Sequence, residues 1–434
     1  MRIAVVGGRL QGVEVVYLAR KAGYRTLVID KSREVPAAGM ADRFVCFEFT
    51  PGCCVPDECP DVDLIIPAIE DQDVLQLVEQ WAQLRQIPLA FDGDAYALTC
   101  SKRRSNALFE KFGLPFPGDW PGCGVPVVVK PDRESGSRGV TVYRDAAAFH
   151  ADFSDGRVPE TLLAQQYLTG SQFSIEVVGV PGRHNTLCVT ELHMDRDHDC
   201  KRVTAPTRLS SRLVLKLEEM AMTLAEAIGL KGIMDLEVIL DQGDLKLLEI
   251  DARFPSQTPM AVYWATGINM VQLLAEAFVP GHGLPDDGLE QDRLYSVARK
   301  EAKPDPILET AAGQTPDPWV VVEHIQAGPH RIRFLGEHIM GGAGPLHLAP
   351  GFFGCREAVT NFRPDRPCWV GTLVFCADSP EGLAALRKSC YQRIRDTIRQ
   401  FAKTGGNVPQ SLQDRFAVNH SKQEKRGHDP ASAR

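Results

Sequence analysis

Two short acidic segments of the sequence carry residue types that could bind a divalent cation. The first contains Asp235 and Glu237, and the second contains Glu249, Asp251 and Arg253. Side chains alternate along a strand, so the acids of each segment share one face if both segments are strands. Neighbouring carboxylates repel each other unless cations neutralise them. The pattern therefore predicts a Mg²⁺ site at Glu237, Glu249 and Asp251, with Arg253 placed to stabilise charge on a transferring phosphoryl group.

A solvated acidic surface is the alternative interpretation. On such a surface the charged residues would stand among polar neighbours. Here they alternate with apolar residues, such as Leu236 and Val238 in the first segment and Leu248 and Ile250 in the second. This alternation favours a sheet with one apolar face and one hydrated face that carries the functional residues.

The two acidic segments are predicted to pair as a hairpin. Residues 233–240 and 245–250 have strand patterns, and the turn falls at residues 241–244. Such pairing can bring Glu237 beside Glu249, so we expect the acids of both segments to form one cluster.

Two lysines and a small-residue turn could bind the phosphates of ATP. Lys130 ends an apolar strand just before the turn Ser135-Gly136-Ser137-Arg138-Gly139, and Lys102 lies in a basic helix predicted over residues 101–112. An ammonium group can bind phosphate oxygens, while small residues let a loop close over them. The alternative is two surface lysines beside a flexible hairpin. Lys102, Lys130 and Ser135 are therefore candidate ATP contacts.

Two further strands could contact a base and an amine. The run Gln165-Gln166-Tyr167-Leu168 ends a strand and could pair its backbone with adenine while its apolar side chains enclose the ring. By itself it is an edge strand. Ser174 and Glu176 alternate with apolar residues and could point into the same cleft, with Glu176 facing a substrate amine. An ordinary exposed strand face is the alternative.

The N-terminal turn Gly7-Gly8-Arg9-Leu10-Gln11-Gly12 could hold an anionic group of a small molecule. Glycines let the backbone approach a ligand, and the following helix start attracts anions. The turn partly matches a dinucleotide fingerprint, and Asp30 follows the second strand. The glycine spacing differs from that fingerprint, so NAD binding is kept only as a rival interpretation.

The elements that must position these residues fall into an α/β unit followed by an α+β unit. Strands at residues 3–6, 26–29 and 64–67 alternate with helices at 11–22 and 71–84, which predicts a parallel, doubly wound sheet. A Gly-, Pro- and Asp-rich boundary is expected near residues 280–291. Further elements are predicted as strands at 125–130, 140–143, 162–167, 173–178, 295–298, 320–324 and 370–376, and as helices at 212–228, 269–277 and 380–401.

Composition limits the classes of protein that fit. The 434 residues suggest two to four domains, and the net charge of -8 argues against a general nucleic-acid binder. No apolar stretch approaches the roughly 20 residues that span a bilayer, and no signal peptide is visible. The 12 cysteines are scattered, and Cys53, Cys54 and Cys59 lack the paired spacing of a zinc site. We expect a cytoplasmic protein with reduced cysteines, small-molecule substrates and no nucleic-acid or membrane partner. The oligomeric state is left open, with a homodimer as one option.

The order of these motifs resembles the ATP-grasp superfamily, at Lys130, residues 165–170, Glu237 and residues 249–253. A closer similarity is to the family of ligases that join 3-methylornithine to L-lysine in pyrrolysine biosynthesis. It extends from residue 1 to about residue 400. The segments that carry it are Gly7-Gly8-Arg9-Leu10-Gln11-Gly12, Ala95-Tyr96, Leu230-Lys231-Gly232-Ile233-Met234-Asp235 and the specific run Glu249-Ile250-Asp251-Ala252-Arg253-Phe254-Pro255-Ser256-Gln257-Thr258-Pro259.

The resemblance implies an α/β ATP-grasp fold. It implies a Rossmann-like pre-grasp domain at 1–92, a central α+β nucleotide-binding subdomain at 93–168 and a C-terminal α+β grasp domain at 169–403. The last contains a smaller strand-rich portion from about residue 285. Residues 404–434 are expected to be a disordered tail.

The resemblance also implies an activity and the residues that perform it. ATP would phosphorylate the α-carboxylate of 3-methyl-D-ornithine, and the ε-amine of L-lysine would attack the acyl-phosphate to give 3-methyl-D-ornithyl-Nε-L-lysine. Glu237, Glu249 and Asp251 would bind Mg²⁺, and Arg253, Asp235 and Glu176 would act in catalysis. ATP contacts are expected from Lys102, Lys130, Ser135, Gln165, Gln166, Tyr167 and Leu168. Substrate contacts are expected from Leu10, Gln11, Glu70, Ser174, Glu176, Asp235, Arg253 and Ser256.

Several features depart from the family pattern, and one of them is the extra tail after Gly405. Asp251 takes the place where many ATP-grasp enzymes have asparagine, and Gln165-Gln166 replaces an acidic pair common at the hinge. The run Cys200-Lys201-Arg202-Val203 is more basic than expected. Two rival functions stay open: an ATP-grasp ligase for another amino acid or nucleotide precursor, and an NAD-dependent oxidoreductase, which only the N-terminal turn suggests.

Overall fold

The computed structural model describes residues 1–53, 55, 61–154, 156–279 and 318–403. Several predicted features lie outside these ranges: Cys54, Cys59, the boundary at 280–291, the strand at 295–298 and the tail after residue 404. None of the described helices is both long enough and apolar enough to cross a bilayer.

The N-terminal unit is a four-stranded parallel sheet in the order β3-β2-β1-β4. This confirms the predicted doubly wound arrangement. Helix α1 is buried along most of its length because it packs against this sheet on one side and helices α7 and α8, defined below, on the other. The elements are β1 (Arg2–Val6), α1 (Leu10–Lys21), β2 (Arg25–Asp30), β3 (Arg43–Cys46), β4 (Leu64–Pro67) and α2 (Gln72–Arg85).

A small antiparallel sheet in the order β6-β5-β7 follows. Ser101 caps the basic helix α4, because its Oγ accepts a hydrogen bond from the backbone N–H of Arg104 at 3.3 Å. The predicted helix therefore begins at Lys102. The elements are α3 (Gly93–Thr99), α4 (Lys102–Lys111), β5 (Val127–Pro131), β6 (Thr141–Tyr143), α5 (Ala146–Asp152) and β7 (Leu162–Gln166).

The remaining described strands form one sheet of eleven strands. Its main order is β13-β12-β8-β10-β11-β14-β18-β17-β16, with β9 beside β8 and β15 beside β14. Strands after residue 318 thus continue the sheet that begins at residue 172. The strands are β8 (Gln172–Val180), β9 (Arg183–Thr186), β10 (Thr190–Met194), β11 (Cys200–Ala205), β12 (Gly232–Asp241), β13 (Asp244–Asp251), β14 (Trp319–Ala327), β15 (Ile332–Phe334), β16 (His347–Pro350), β17 (Glu357–Thr360) and β18 (Trp369–Ala377).

Helices cover both faces of the large sheet. One face packs against α1, α7 and α8 through residues such as Val203 and Val322. The opposite face packs against α6 through Ile175 and against α10 through Val321 and Leu373. The helices are α6 (Ser211–Ile228), α7 (Pro259–Thr266), α8 (Met270–Phe278), α9 (His338–Gly341) and α10 (Pro380–Lys403), with 3-10 turns at Pro36–Gly39 and Phe352–Gly354.

A buried polar network joins the first helix to a late strand. The Tyr17 hydroxyl donates to Glu357, and the indole Nε1 of Trp264 donates to Tyr17 at 2.7 Å. Lys21 pairs with Glu357 at 2.9 Å. Burial, followed by the Glu357 charge, raises the pKa of Tyr17 well above its ordinary value, so the phenol stays protonated as a donor. The network fixes α1 to β17.

Candidate active site

Two rows of polar side chains cross strands β8, β12 and β13 on the same sheet face. In the first row, Glu237 lies opposite Ser174 on one side and Glu249 on the other. In the second row, Asp235 lies opposite Glu176 and Asp251. The predicted hairpin and the pairing of Glu237 with Glu249 are confirmed. The alternative that Ser174 and Glu176 lie on an exposed face is wrong, because both are buried.

The first row is the candidate metal site. Burial, then the charges of Glu249 and Asp251, raise the pKa of Glu237 to about 8. Such a carboxylate pair favours a nearby cation. The Lys102 ammonium lies 2.7 Å from Glu249 Oε1. It also donates to the Glu134 carbonyl at 2.7 Å.

The fit to Mg²⁺ depends on ligands from outside the protein. Among the described residues, no group of three or more His, Cys, Asp or Glu side chains is arranged to enclose a metal ion. Mg²⁺ is commonly bound by one or two carboxylates, with phosphates and waters completing its shell. Glu237 and Glu249 fit that pattern. Asp251 remains a predicted third ligand, although its Oδ2 already accepts from Arg253 at 2.9 Å.

A cavity of about 150 Å³ opens beside this row, between the small sheet and the large sheet. Burial lowers the pKa of Lys130 to about 8, against the opposing effect of Glu249. The cavity therefore offers a poorly hydrated cation that phosphate oxygens could neutralise. Of the predicted ATP and metal residues, those that line it are Lys102, Lys130, Gln165, Gln166, Tyr167, Leu168, Glu237 and Glu249.

The small-residue turn contacts both the large-sheet unit and the N-terminal unit. Ser137 Oγ donates to the His198 carbonyl at 2.7 Å, and Ser135 donates to Glu70. Gly136 has a φ of +59°, and a Cβ there would lie 2.5 Å from His338 Nε2. Glycine at this position thus permits both the backbone conformation and the close approach of His338. Ser135 is linked through Glu70 to Arg253, which lies beside the second row.

The hinge glutamines have structural partners. Gln165 Nε2 lies 3.3 Å from both the Pro117 carbonyl and Asp119 Oδ1. Gln166 accepts from Lys246 at 3.4 Å. Strand β7 is an edge of the small sheet, as predicted for this run. The adenine contacts of this segment stay a prediction.

Arg253 lies among three carboxylates beside the second row. Its Nε is 3.0 Å from Glu70 Oε1, Nη1 is 3.6 Å from Asp235 Oδ1 and Nη2 is 2.9 Å from Asp251 Oδ2. Burial alone would raise the pKa of Glu70, but Arg253 and hydrogen bonds from Ser135 and Gln11 hold it below its ordinary value. The guanidinium is therefore oriented by fixed anions and is set to bind a carboxylate or phosphoryl group.

Two buried acceptor oxygens of the second row lack a hydrogen-bond donor in the described part of the chain. Neither Glu176 Oε2 nor Asp235 Oδ1 receives a hydrogen bond from any described residue. The other oxygen of Glu176 accepts from Thr258, and also from Ser174 at 3.4 Å. Burial raises the pKa of Glu176 to about 7. Buried acceptors without donors cost free energy, so a bound cationic amine that donates hydrogen bonds to them would stabilise the site.

Glu337 is a neighbouring acid that the sequence analysis missed. It is buried and accepts hydrogen bonds from Ser256 at 2.9 Å and from Gln257 at 3.1 Å. Burial is the main cause that raises its pKa to about 7. Glu337 lies 81 residues after Ser256 and has no local pattern that marks it. Ser256 is thus held by a carboxylate that no sequence motif contains.

The N-terminal turn reaches the same region through Gln11. Gln11 Nε2 donates to Glu70 at 2.8 Å, while Leu10 packs against the apolar core. The Gly8 amide donates to Asp30 at 2.8 Å. A Cβ at Gly7 would lie 2.4 Å from the Ala68 carbonyl oxygen. Internal packing and the Asp30 carboxylate therefore account for the first two glycines.

Comparison with known proteins identifies the family. Residues 100–257 match the model of an ATP-grasp domain. The chain is 36% identical over 294 residues to the 3-methyl-D-ornithine–L-lysine ligase of Methanosarcina acetivorans, which covers 66% of this chain and 77% of the relative. The chain belongs to the 3-methyl-D-ornithine–L-lysine ligase family. The aligned ATP-grasp segment includes Lys102, Lys130 and both acidic rows, so the family match and the geometry fall on the same residues.

Solved structures show that this ligase-family chain has the ATP-grasp fold. The biotin carboxylase domain of 2-oxoglutarate carboxylase from Hydrogenobacter thermophilus, a dimer in complex with MgADP, superposes with a TM-score of 0.60 at 15% identity. It matches 96% of this chain and 98% of that one. The L-amino acid ligase from Bacillus licheniformis gives 0.59 at 15% identity, with 90% and 97% coverage. The α/β ATP-grasp class predicted from the sequence is confirmed.

Proposed function

We propose that this chain joins the α-carboxylate of 3-methyl-D-ornithine to the ε-amine of L-lysine in an ATP-dependent reaction. The product is 3-methyl-D-ornithyl-Nε-L-lysine, a precursor of pyrrolysine, with ADP and phosphate. The family membership supports this reaction. The observation that carries it is the pair of rows: one faces Lys102 and the cavity, and the other adjoins Arg253 and contains buried acceptor oxygens without a hydrogen-bond donor among the described residues.

The nucleotide side of the site neutralises phosphate. Lys130 and Lys102 place ammonium groups in the cavity, and the turn that contains Ser135 closes over it. Glu237 and Glu249, with Asp251, would hold Mg²⁺, which supplies positive charge to the phosphates when bound. The MgADP in the Hydrogenobacter relative supports this use of nucleotide and metal. Gln165, Gln166, Tyr167 and Leu168 would contact the base and ribose.

The second row binds and orients the amino acids. A carboxylate is a poor electrophile, and phosphorylation gives it a good leaving group. Arg253 would hold the substrate carboxylate towards the γ-phosphate and stabilise charge during transfer. Glu176 and Asp235 would accept hydrogen bonds from substrate ammonium groups. Burial excludes the water that would hydrolyse the acyl-phosphate. Further substrate contacts are proposed for Leu10, Gln11, Glu70, Ser174 and Ser256.

A reconstitution assay tests the proposed reaction. The purified protein is incubated with ATP, Mg²⁺, 3-methyl-D-ornithine and L-lysine, and products are measured as ADP and by mass spectrometry. We expect ADP release that needs both amino acids and a mass equal to the two joined with loss of water. ADP release with other amino acids alone would favour a different ATP-grasp ligase. NAD(H) binding without ATP turnover would favour the oxidoreductase.

The sequence left the oligomeric state open, with a homodimer as one option, and we propose the homodimer because the Hydrogenobacter domain is a dimer. Light scattering coupled to size-exclusion chromatography measures the mass directly. A mass near 48 kDa, the value for one chain of 47.8 kDa, would reject the homodimer.

A further inference from the structure

The large sheet carries a polar strip on the face opposite the acidic rows. Strands β10 and β11 lie between the part of this face covered by α6 and the part covered by α10. His193 lies opposite Arg202, and Arg202 lies opposite Glu323 on β14. We call this surface the reverse strip; its residues are Glu191, His193, Arg202, Thr204 and Glu323 from the strands, with Arg387 from α10.

Positive charge exceeds negative charge at the reverse strip. Glu323 is already neutralised, because both of its oxygens lie 2.7 Å from guanidinium nitrogens of Arg387 and the Tyr391 hydroxyl also donates to it. Lys201 and Arg208 add two more cations that act on His193. Against these, Glu191 is the other carboxylate that acts on Arg202. The strip therefore has a surplus of basic groups in a half-buried place.

At this strip, Arg202 has a guanidinium nitrogen without a hydrogen-bond partner among the described residues. Its Nε is buried, and no described residue accepts a hydrogen bond from it. Burial, followed by repulsion from Arg387, lowers its pKa despite Glu323 and Glu191. An unpaired buried guanidinium N–H is costly, so the site gains free energy when an acceptor arrives.

Two uncharged hydrogen-bonding groups share the sheet face of Arg202: His193 on the neighbouring strand and Thr204 two residues along the same strand. His193 Nε2 lies 3.2 Å from Thr204 Oγ1. Burial, then the charges of Arg202, Lys201, Arg387 and Arg208, lower the pKa of His193 to about 4. At neutral pH the imidazole is therefore neutral, and it joins the Thr204 hydroxyl as a polar partner for a ligand.

We propose that the reverse strip binds a small oxyanion, the phosphate or carboxylate group of a metabolite, with Arg202 as its main contact. A guanidinium presents parallel N–H donors that match both groups. The site lies behind the sheet from the acidic rows, so it is separate from the nucleotide and substrate positions. An oxyanion site would also explain why the run Cys200-Lys201-Arg202-Val203 is more basic than the family pattern.

Histidine NMR gives a local test. The full-length protein, labelled at histidine and with His193 assigned from a His193→Gln variant, is titrated with inorganic phosphate and separately with acetate at constant ionic strength. We expect saturable movement of the His193 signal and a rise in its pKa by at least about half a unit, because a bound anion offsets the cations. A response to phosphate alone identifies a phosphate site, and a response to both identifies a general oxyanion site.

Matched variants separate this binding from general effects. Arg202→Gln should reduce the His193 response at least tenfold. Arg202→Lys should give an intermediate response, because lysine keeps the positive charge but lacks the parallel N–H donors of the guanidinium. Arg85→Gln removes an exposed arginine of α2 and should respond like the wild type. A wild-type His193 signal that stays fixed in both titrations, or an equal response in Arg202→Gln, overturns the proposal. Neither readout uses ligase activity.

Discussion

Lys102 and Glu249 form an ion pair between the nucleotide subdomain and the large sheet, with 2.7 Å between Nζ and Oε1. Lys102 begins α4, and Glu249 lies on β13. Burial would lower the pKa of Lys102, but Glu249 raises it above its ordinary value. The ammonium thus contacts the carboxylate that we propose as a metal ligand. We infer that Lys102 exchanges Glu249 for phosphate oxygens when the magnesium nucleotide binds.

Glu249→Gln should remove a charged metal ligand while keeping the shape of the side chain. We expect kcat/KM to fall by at least about 100-fold and the Mg²⁺ requirement to rise, since a neutral amide binds Mg²⁺ weakly. Phosphate release measured across a Mg²⁺ series checks this. Asp244→Asn, an exposed acid at the other end of the same strand, is the control and should stay within twofold of wild type. Unchanged turnover in Glu249→Gln would remove the metal assignment.

Lys130→Met should stabilise the free protein and weaken nucleotide binding. The folded pKa of Lys130, about 8, lies below the ordinary 10.5, so the buried charge costs stability at neutral pH. This cost is relieved as pH rises from about 8 towards 10.5. The variant should therefore melt a few degrees above wild type at pH 7, with a smaller difference at pH 10. Thermal melts and ADP titrations test both effects, with exposed Lys111→Met as control. A lower Tm at pH 7 contradicts the prediction.

Glu337→Gln should be more stable than wild type at alkaline pH. Burial raises the folded pKa of Glu337 to about 7 from an ordinary 4.5, so proton binding stabilises the fold. That stabilisation is complete below about pH 4.5 and is lost as pH rises through about 7. We expect a gain of up to about 3 kcal/mol for the variant at pH 8 and little difference at pH 5. Urea unfolding measures it, and exposed Glu226→Gln should show no such trend. A gain equal at both pH values would mean that Glu337 does not titrate.

Gly136→Ala should open the small-residue turn. Alanine at a φ of +59° costs about 1 kcal/mol, and its Cβ would lie 2.5 Å from His338 Nε2. We expect the KM for ATP to rise several-fold, and His338→Ala in the same chain to restore part of the loss. Gly124→Ala is the control, because it has a φ of +64° with no neighbour within 4 Å. Equal effects of Gly136→Ala with and without His338 would exclude the contact as the cause.

Local patterns predicted the rows, and long-range packing determined their surroundings. Alternation along two adjacent strands was sufficient to predict that Glu237 and Glu249 could meet in one hairpin. The register set by the turn, however, pairs Val238 with Leu247, and a register shift between Glu237 and Val238 is what brings Glu249 opposite Glu237. The Lys102–Glu249 pair joins residues 147 apart, counted from their numbers, and depends on how two sheets face each other. Glu337 lies beyond residues 280–317 and directly precedes a helix of four residues, so no motif indicates it. Such contacts follow from the assembled sheet and not from any short segment.

The hydrogen bond between Tyr17 and Glu357 constrains the order in which the protein can fold during its synthesis. Tyr17 lies in the first helix, and its carboxylate partner is separated from it by 340 residues. During synthesis on a ribosome, α1 therefore emerges long before the partners of its buried hydroxyl exist. Residues 1–92, although they contain a complete parallel sheet, leave this helix with an uncovered face. We expect the nascent N-terminal unit to reach its final stability after β17 has left the exit tunnel, which makes it a client for chaperones until then.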